Sequence, residues 1–320
     1  MERSVGIYLI TGATGFVGAS VINRLIADGL FPVAAVRKRP IICPKECSVV
    51  EVGDLEPNTD WSAALIGIQS VVHTAARVHV MKDPSANPLT EFRRVNVEGT
   101  LNLARQAALA GVHRFIFVSS IKVNGEQTKI GRPFTEKDMA NPLDPYGISK
   151  YEAEVGLQLI AKETGMEVVI IRPVLVYGHG VKGNFLSMMC WLHKGIPLPL
   201  GAINNLRSFV ALDNFVDFIV TCLHHPAAAN QLFLVSDGAD ISTTQLLQYT
   251  ASAMGVNSRL MPLPAIIIQV AAKLLRKSEV AKRLCGNLQV DISKAHKLLG
   301  WVPPISLREG LRRTVEDYVQ

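Results

Sequence analysis

The chain predicts an α/β protein: a doubly wound parallel sheet followed by a smaller, mostly helical part. Three observations predict it. An apolar strand opens the chain and runs directly into TGATGFVG. Short β-branched runs then alternate with helical patterns through the first half. After about Gly178, proline and glycine become frequent and helical patterns take over.

The first strand is read at Val5–Ile10. Gly12, Gly15 and Gly18 follow at i, i+3 and i+6, ahead of an apolar-periodic stretch through Ile22, Leu25 and Ile26. One glycine permits a tight turn, one lets a pyrophosphate approach the backbone, and one lets the helix close on the strand. The free N–H groups and positive dipole end of that helix then favour an anion. A glycine-rich turn alone is a weak signal. Its place between a strand and a helix makes it a dinucleotide site.

Further strands are expected at Pro32–Val36, Ser48–Val52, Ser70–His73, Arg114–Val118 and Glu167–Ile171, with helices over Leu89 to Ala110 and Tyr146 to Thr164. Right-handed crossovers make such a sheet parallel, and ligands bind outside the carboxyl ends of its strands. Residues 1–178 are read as the Rossmann-type cofactor domain. Residues 179–320 are predominantly a substrate domain, some of whose segments can return to the sheet.

With 320 residues, 48% of them apolar, the chain can bury a large core, which excludes disorder. The net charge of +6 suits an anionic ligand, but the basic residues are scattered, so nucleic acid is not expected. The five cysteines form no paired framework, and Cys43 and Cys47 lack a second Cys/His pair to complete a zinc site. No metal is expected, and with no signal peptide the chain is placed in the cytoplasm with reduced thiols. The apolar run Pro262–Leu275, interrupted by Gln269 and Lys273, is too short to span a bilayer. It reads as a helix packed on its own domain. Because Arg276, Lys277, Lys282 and Arg283 follow it, weak contact with a membrane surface is the alternative.

PYGISKYEAE holds Tyr146 and Lys150 at i, i+4, a spacing that stacks both side chains on one helix face. An ammonium beside a phenol should pull the phenol's pKa down, as a general acid/base needs. The strand Arg114–Val118 ends in Ser119–Ser120, where a hydroxyl can donate to a substrate carbonyl. Capping the strand end suits Ser119 better than Ser120. Asn96, an amide among apolar neighbours, either supports the proton relay or satisfies buried backbone groups.

TGATGFVG, HTAA at His73–Ala76, NVEGT, VSSIKVNG, YGISK and RPVLVYG together resemble the extended short-chain dehydrogenase/reductases acting on nucleotide sugars, in the 4-epimerase/4-ketoreductase group. The resemblance covers essentially the whole chain. It implies that Tyr146 is the proton donor and acceptor, that Lys150 holds the nicotinamide ribose, that Ser120 binds the reacting oxygen and that Asn96 supports the relay. It adds Thr14, Phe16 and Val17 to the three glycines at the cofactor diphosphate. Asp54 and Leu55 would meet adenine, and Ala75, Ala76 and Pro173 would line the cofactor. Lys122, Asn184 and Arg207 would contact the substrate, Arg207 through a planar fork bidentate to phosphate.

Two departures narrow the reaction. The 4,6-dehydratases of this family carry an Asp–Glu pair where this chain has Ile121 and Lys122, so elimination of water is disfavoured. At the end of the second strand, Val36-Arg37-Lys38-Arg39 offers no acid for a ribose 2′-hydroxyl, and Arg37 can pair with a 2′-phosphate. NADP(H) is therefore favoured over NAD(H). The leading expectation is reduction of the C4 ketone of a UDP-4-keto-6-deoxy-N-acetylhexosamine in surface-polysaccharide precursor synthesis. The alternative is a UDP-hexose 4-epimerase with bound NAD. Weaker alternatives are an epimerase of a polyprenyl-diphosphate-linked sugar and a non-catalytic nucleotide-binding protein. The two long helices each carry more apolar residues than one core-facing stripe needs, Ala108 and Leu157 among them, so a homodimer is expected.

Overall fold

The structure, a computed structural model, describes residues 6–39, 44–78, 87–275 and 277–319. Val5, Cys43 and Arg276 lie outside these residues. The first half runs β1 (Ile7–Thr11), α1 (Phe16–Ala27), β2 (Phe31–Val36), β3 (Ser48–Glu51), β4 (Ser70–His73), α2 (Pro88–Arg93), α3 (Thr100–Leu109), β5 (Arg114–Val118), α4 (Pro145–Thr164) and β6 (Glu167–Pro173). The second half runs β7 (Leu175–Tyr177), α5 (Gly183–His193), β8 (Arg207–Ala211), α6 (Leu212–His224), β9 (Leu232–Val235), β10 (Asp240–Ile241), α7 (Thr243–Ala253), α8 (Ala265–Leu274), α9 (Ser278–Cys285), α10 (Ser293–Leu299) and α11 (Leu307–Val319).

Seven strands form one sheet in the order β3-β2-β1-β4-β5-β6-β9, every pair parallel. Both faces are covered, which is why the central strands are apolar throughout rather than alternating. Ile10, Val72, Ile116 and Val169 point to the face packed by α1 and α6. Leu9, Val71, Phe115 and Ile170 point to the other, where Leu103 and Ala107 of α3 and Leu157 of α4 meet them. The order reverses between β1 and β4, the switch point beside which such sheets bind ligands. Strands continue beyond Gly178: β9 joins the main sheet beside β6, and α6 packs on α1. LFLV is a short run set among helical patterns, which hid it as a strand. A smaller sheet, β10-β8-β7, and an apolar cluster around Phe185, Leu200, Phe209 and Leu247 make up the second core.

The stretch expected as one helix over Leu89 to Ala110 is interrupted. Between α2 and α3, residues Arg94–Gly99 form a π-type turn, a feature that clusters at functional sites. Helix α4 forms where expected for local reasons. Asp144 caps it by accepting from the Gly147 N–H at 2.7 Å, Pro145 opens it, and Gly165 closes it at φ +78°.

The apolar excess on these helices divides differently from the expectation. Leu157 is wholly buried and Ala108 partly so, both packed in the core between α3, α4 and the sheet. A charge at Leu157 would therefore probe folding and not assembly. The outward apolar stripe is Tyr151, Val155 and Leu159, spaced i, i+4, i+8 along α4 and all exposed.

Candidate active site

The glycine turn after β1 is built as its residue types require. Gly12 has φ +66°, and a Cβ there would lie 2.8 Å from the Ala75 backbone nitrogen. A Cβ on Gly18 would lie 2.2 Å from the Gly12 carbonyl oxygen, so only glycine lets α1 close on the turn. Gly15 caps α1 without a side-chain acceptor, and the first turn carries no acid. Thr14 and Gly15 are exposed, Phe16 and Val17 half-buried. Uncapped N–H groups at a helix start, approachable over a bare backbone, fit a dinucleotide diphosphate.

A buried histidine shapes the neighbouring wall. His73 hydrogen-bonds through Nδ1 with Thr11 Oγ1 at 2.7 Å and through Nε2 with Thr100 Oγ1 at 2.9 Å, tying the ends of β1 and β4 to α3. Burial, with the Lys150 charge nearby, pushes its pKa down to about 3. It is a neutral structural post. Beyond it, Ala75 and Ala76 are half-buried, and the Ala75 N–H donates to Thr11 Oγ1 at 3.3 Å. Asn96, in the π-type turn, clamps this loop. Its Oδ1 accepts from the Arg77 N–H at 2.7 Å, and its Nδ2 donates to the Arg77 carbonyl and to Ser149 Oγ, both at 3.0 Å. Two of these three bonds satisfy backbone groups of Arg77, and the third ties Asn96 to α4, which carries Tyr146 and Lys150.

Tyr146 and Lys150 share one face of α4 at the carboxyl ends of β5 and β6. Lys150 is 2% exposed, its Nζ donating to the Val118 carbonyl at 2.9 Å and lying 4.5 Å from the Phe117 ring centre. The same Nζ is 5.9 Å from the Tyr146 ring centre. The electrostatics run opposite to those the spacing predicts. Burial, and then the negative charge of Asp144, hold the Tyr146 phenol above its ordinary value. Burial likewise pulls Lys150 down to about 7, so near neutrality it is only partly charged and cannot offset the desolvation of the phenol.

The two serines separate cleanly. Ser119 is buried and its Oγ donates to Glu154 Oε1 at 2.5 Å, so it is structural. Ser120 is half-buried and caps the turn Ile121–Val123, its Oγ accepting from the Lys122 N–H at 3.2 Å. That leaves its own O–H to donate. Lys122 is drawn onto Asp144, the cap of α4, and Ile121 is buried, so neither supplies dehydratase chemistry.

Sequence reasoning missed the pair that seats α4. Glu154, four residues after Lys150 on the same face, accepts from Arg172 Nε at 2.9 Å and Nη2 at 2.5 Å; Arg172 Nη1 also donates to Asn124 at 2.8 Å. Both side chains are at most 5% exposed. An arginine inside the apolar strand β6 was the available signal. Removing one partner of such a pair costs about 3–5 kcal/mol, because the other charge is stranded.

The remaining expected residues lie at the periphery. Pro173 is buried at the end of β6, and Leu55 packs against Gly99. Arg37, exposed at the end of β2, has Nη1 3.7 Å from Asp54 Oδ1, so its charge already faces a carboxylate. Arg207 opens β8 and donates through Nη1 to the Gly286 carbonyl at 3.1 Å; burial and then the Arg283 cation lower its pKa. A second cation acting on Arg207 favours an anion nearby, and Arg283 was noted in the sequence only as part of a basic run. Asn184 is exposed in the first turn of α5.

The NAD dependent epimerase/dehydratase family matches residues 8–235 of the chain. A UDP-glucose 4-epimerase of Vibrio cholerae is 49% identical, over 100% of this chain and 97% of that protein. An N-acetyl-α-D-glucosaminyl-diphospho-ditrans,octacis-undecaprenol 4-epimerase of Escherichia coli O157:H7 is 29% identical, over 96% and 94% respectively. Among solved structures, MoeE5 in complex with UDP-glucuronic acid and NAD superposes with a TM-score of 0.77 at 26% identity, covering 97% of this chain and 98% of that one.

Lys150 makes the charge state of the site measurable. Its pKa is lower folded than unfolded, so between about 7 and 10 the unfolded chain binds more protons and stability rises with pH. The slope should reach about 1.4 kcal/mol per pH unit. Lys150→Met should flatten that slope and stabilise the chain below neutrality, read by urea denaturation across this range. An unchanged slope would contradict a buried, depressed lysine. From its glycine turn to its Tyr–Lys pair, the chain belongs to the NAD dependent epimerase/dehydratase family and is a nicotinamide-nucleotide-dependent enzyme of the extended short-chain dehydrogenase/reductase type.

Proposed function

We propose that the protein is a 4-epimerase of a UDP-hexose. The observation that carries this reading is the convergence of Ser120, Tyr146 and Lys150 at one sheet edge, in a chain 49% identical over its full length to a UDP-glucose 4-epimerase. The residues that hold the cofactor are Gly12, Thr14, Gly15, Phe16, Val17 and Gly18 at its diphosphate. Asp54 and Leu55 lie towards its adenine end, and Ala75, Ala76 and Pro173 form its walls. When bound, an oxidised nicotinamide supplies a hydride acceptor and a positive charge.

Tyr146 takes the proton from the sugar C4 hydroxyl and returns it to the C4 oxygen of the opposite epimer. Ser120 donates to that oxygen as it becomes a carbonyl. Lys150, fixed by the Val118 carbonyl, holds the ribose and supplies positive charge once it is protonated. Asn96 keeps the loop after β4 in place, and Lys122, through Asp144, holds the start of α4. Asn184, Arg207 and Arg283 face the nucleoside diphosphate.

Arg37 favours a second reading, the NADP-dependent 4-ketoreductase. No acid stands at the end of β2, and a basic side chain there suits a 2′-phosphate. Asp54, 3.7 Å away, weakens this reading by balancing the charge. Net consumption of NADPH separates the two, because a reductase spends one per turnover and an epimerase spends none.

With UDP-glucose as substrate, Tyr146→Phe should lower turnover about 10²–10⁴-fold while leaving the fold intact. Near-normal turnover in that variant would overturn the role of Tyr146.

We also propose a homodimer through the Tyr151, Val155 and Leu159 stripe of α4, because a helix apolar on a second face usually buries it. Val155→Asp with Leu159→Glu should give a folded monomer by light scattering. A wild-type protein that is already monomeric at micromolar concentration would contradict this.

A further inference from the structure

Helix α8 turns its apolar side outward. At about 100° per residue, Ile266, Val270, Leu274 and Ile267 fall on one continuous arc. All four are exposed, Leu274 to 80%. No residue of α8 is buried, and only Ala265 and Ile268, on the opposite side, rest against the second core. The expectation of a helix packed on its own domain is therefore met along one edge alone. A helix serving only its own fold would carry the reverse pattern.

The charge around this arc has one sign. Residues 265–285 contain Lys273, Arg276, Lys277, Lys282 and Arg283 against a single acid, Glu279. That acid is engaged by Lys282 at 2.8 Å. Lys273 borders the arc, and the exposed Lys277 stands at the turn into α9 just beyond its end, so lysines lie at the margin of the apolar surface. With ten residues α8 is too short to cross a bilayer, and no helix among the described residues is long and apolar enough to do so.

We propose that the α8–α9 hairpin docks on an anionic lipid surface. The exposed arc enters the boundary between headgroups and acyl chains, and the flanking lysines meet lipid phosphates. Charge complementarity selects this occupant. A second copy seated on the same face by a twofold axis would set two basic clusters against each other. The hairpin also leads into Gly286, whose carbonyl accepts from Arg207. Docking thus holds the phosphate-facing end of the active site next to the surface. The inference does not depend on which sugar is turned over.

Flotation of the whole protein with vesicles tests this. Vesicles of phosphatidylglycerol and phosphatidylethanolamine should carry the protein, less so as salt rises, and vesicles of phosphatidylcholine alone should not. Ile266→Glu with Val270→Glu should lower vesicle affinity more than about tenfold. Lys273→Gln should lower it about fivefold. Turnover of a UDP-hexose in solution should be unchanged in both variants, which separates this proposal from the catalytic reading. Failure to bind either vesicle, or equal binding by the glutamate variant, would overturn the proposal. So would a shift of that variant from oligomer to monomer by light scattering, which would make the face an interface between copies.

Discussion

The buried ion pair between Glu154 and Arg172 fixes where the chemistry can happen. Helix α4 carries Tyr146, Lys150 and Glu154 at successive i+4 steps, so seating one of them on the sheet seats all three. Arg172 reaches Glu154 from the end of β6, and Ser119 reaches it from the end of β5. The helix is thus pinned against the carboxyl edges of β5 and β6, on the β4 side of the switch point. Leu157 and Ile160 then fill the space against the sheet. A slip of one residue along α4 would rotate Glu154 away from both partners and strand a buried charge, which sets a steep penalty on any other register.

Within that frame, geometry and charge are prepared separately. The Val118 carbonyl accepts from Lys150 whether or not the amine is charged, and the Phe117 ring attracts it when it is. Desolvation keeps the Tyr146 phenol protonated and lowers the lysine pKa to about 7. A phenol in this state stays protonated and is a weak acid, and it can take a proton only once it has ionised. Additional positive charge in the site, from protonated Lys150 and a bound nicotinamide ring, would shift the balance toward the phenolate. Dependence on a bound cofactor for full basicity suits an enzyme that must take and return a proton in the same cycle.

Much of this was legible in the residues. The strands Ser70–His73 and Arg114–Val118 match their expected bounds, because each is a short apolar run closed by polar residues. The glycine turn was legible because its steric demands are absolute: a side chain at Gly18 would collide with the Gly12 carbonyl. The break in the helix at Arg94–Gly99 was not, since a π-type turn keeps helical composition and differs only in hydrogen bonding. The position of β9 was hidden for another reason, as its short run lies in the half of the chain where helical patterns, proline and glycine dominate. The pKa of Tyr146 was misjudged because sequence spacing shows a neighbouring ammonium but not the burial that discharges it. For α8 the residues left two readings, packing on its own domain and contact with a membrane surface, because a hydrophobic run does not say which of its sides finds a partner.

The most direct test follows the hydrogen at C4. UDP-glucose carrying deuterium at that carbon is incubated with the purified protein and no added NADPH, and the hexose product is analysed by NMR and mass spectrometry. The expected product is the C4 epimer with deuterium still at C4. Washout of the label, or conversion only when NADPH is supplied and consumed, would contradict the epimerase.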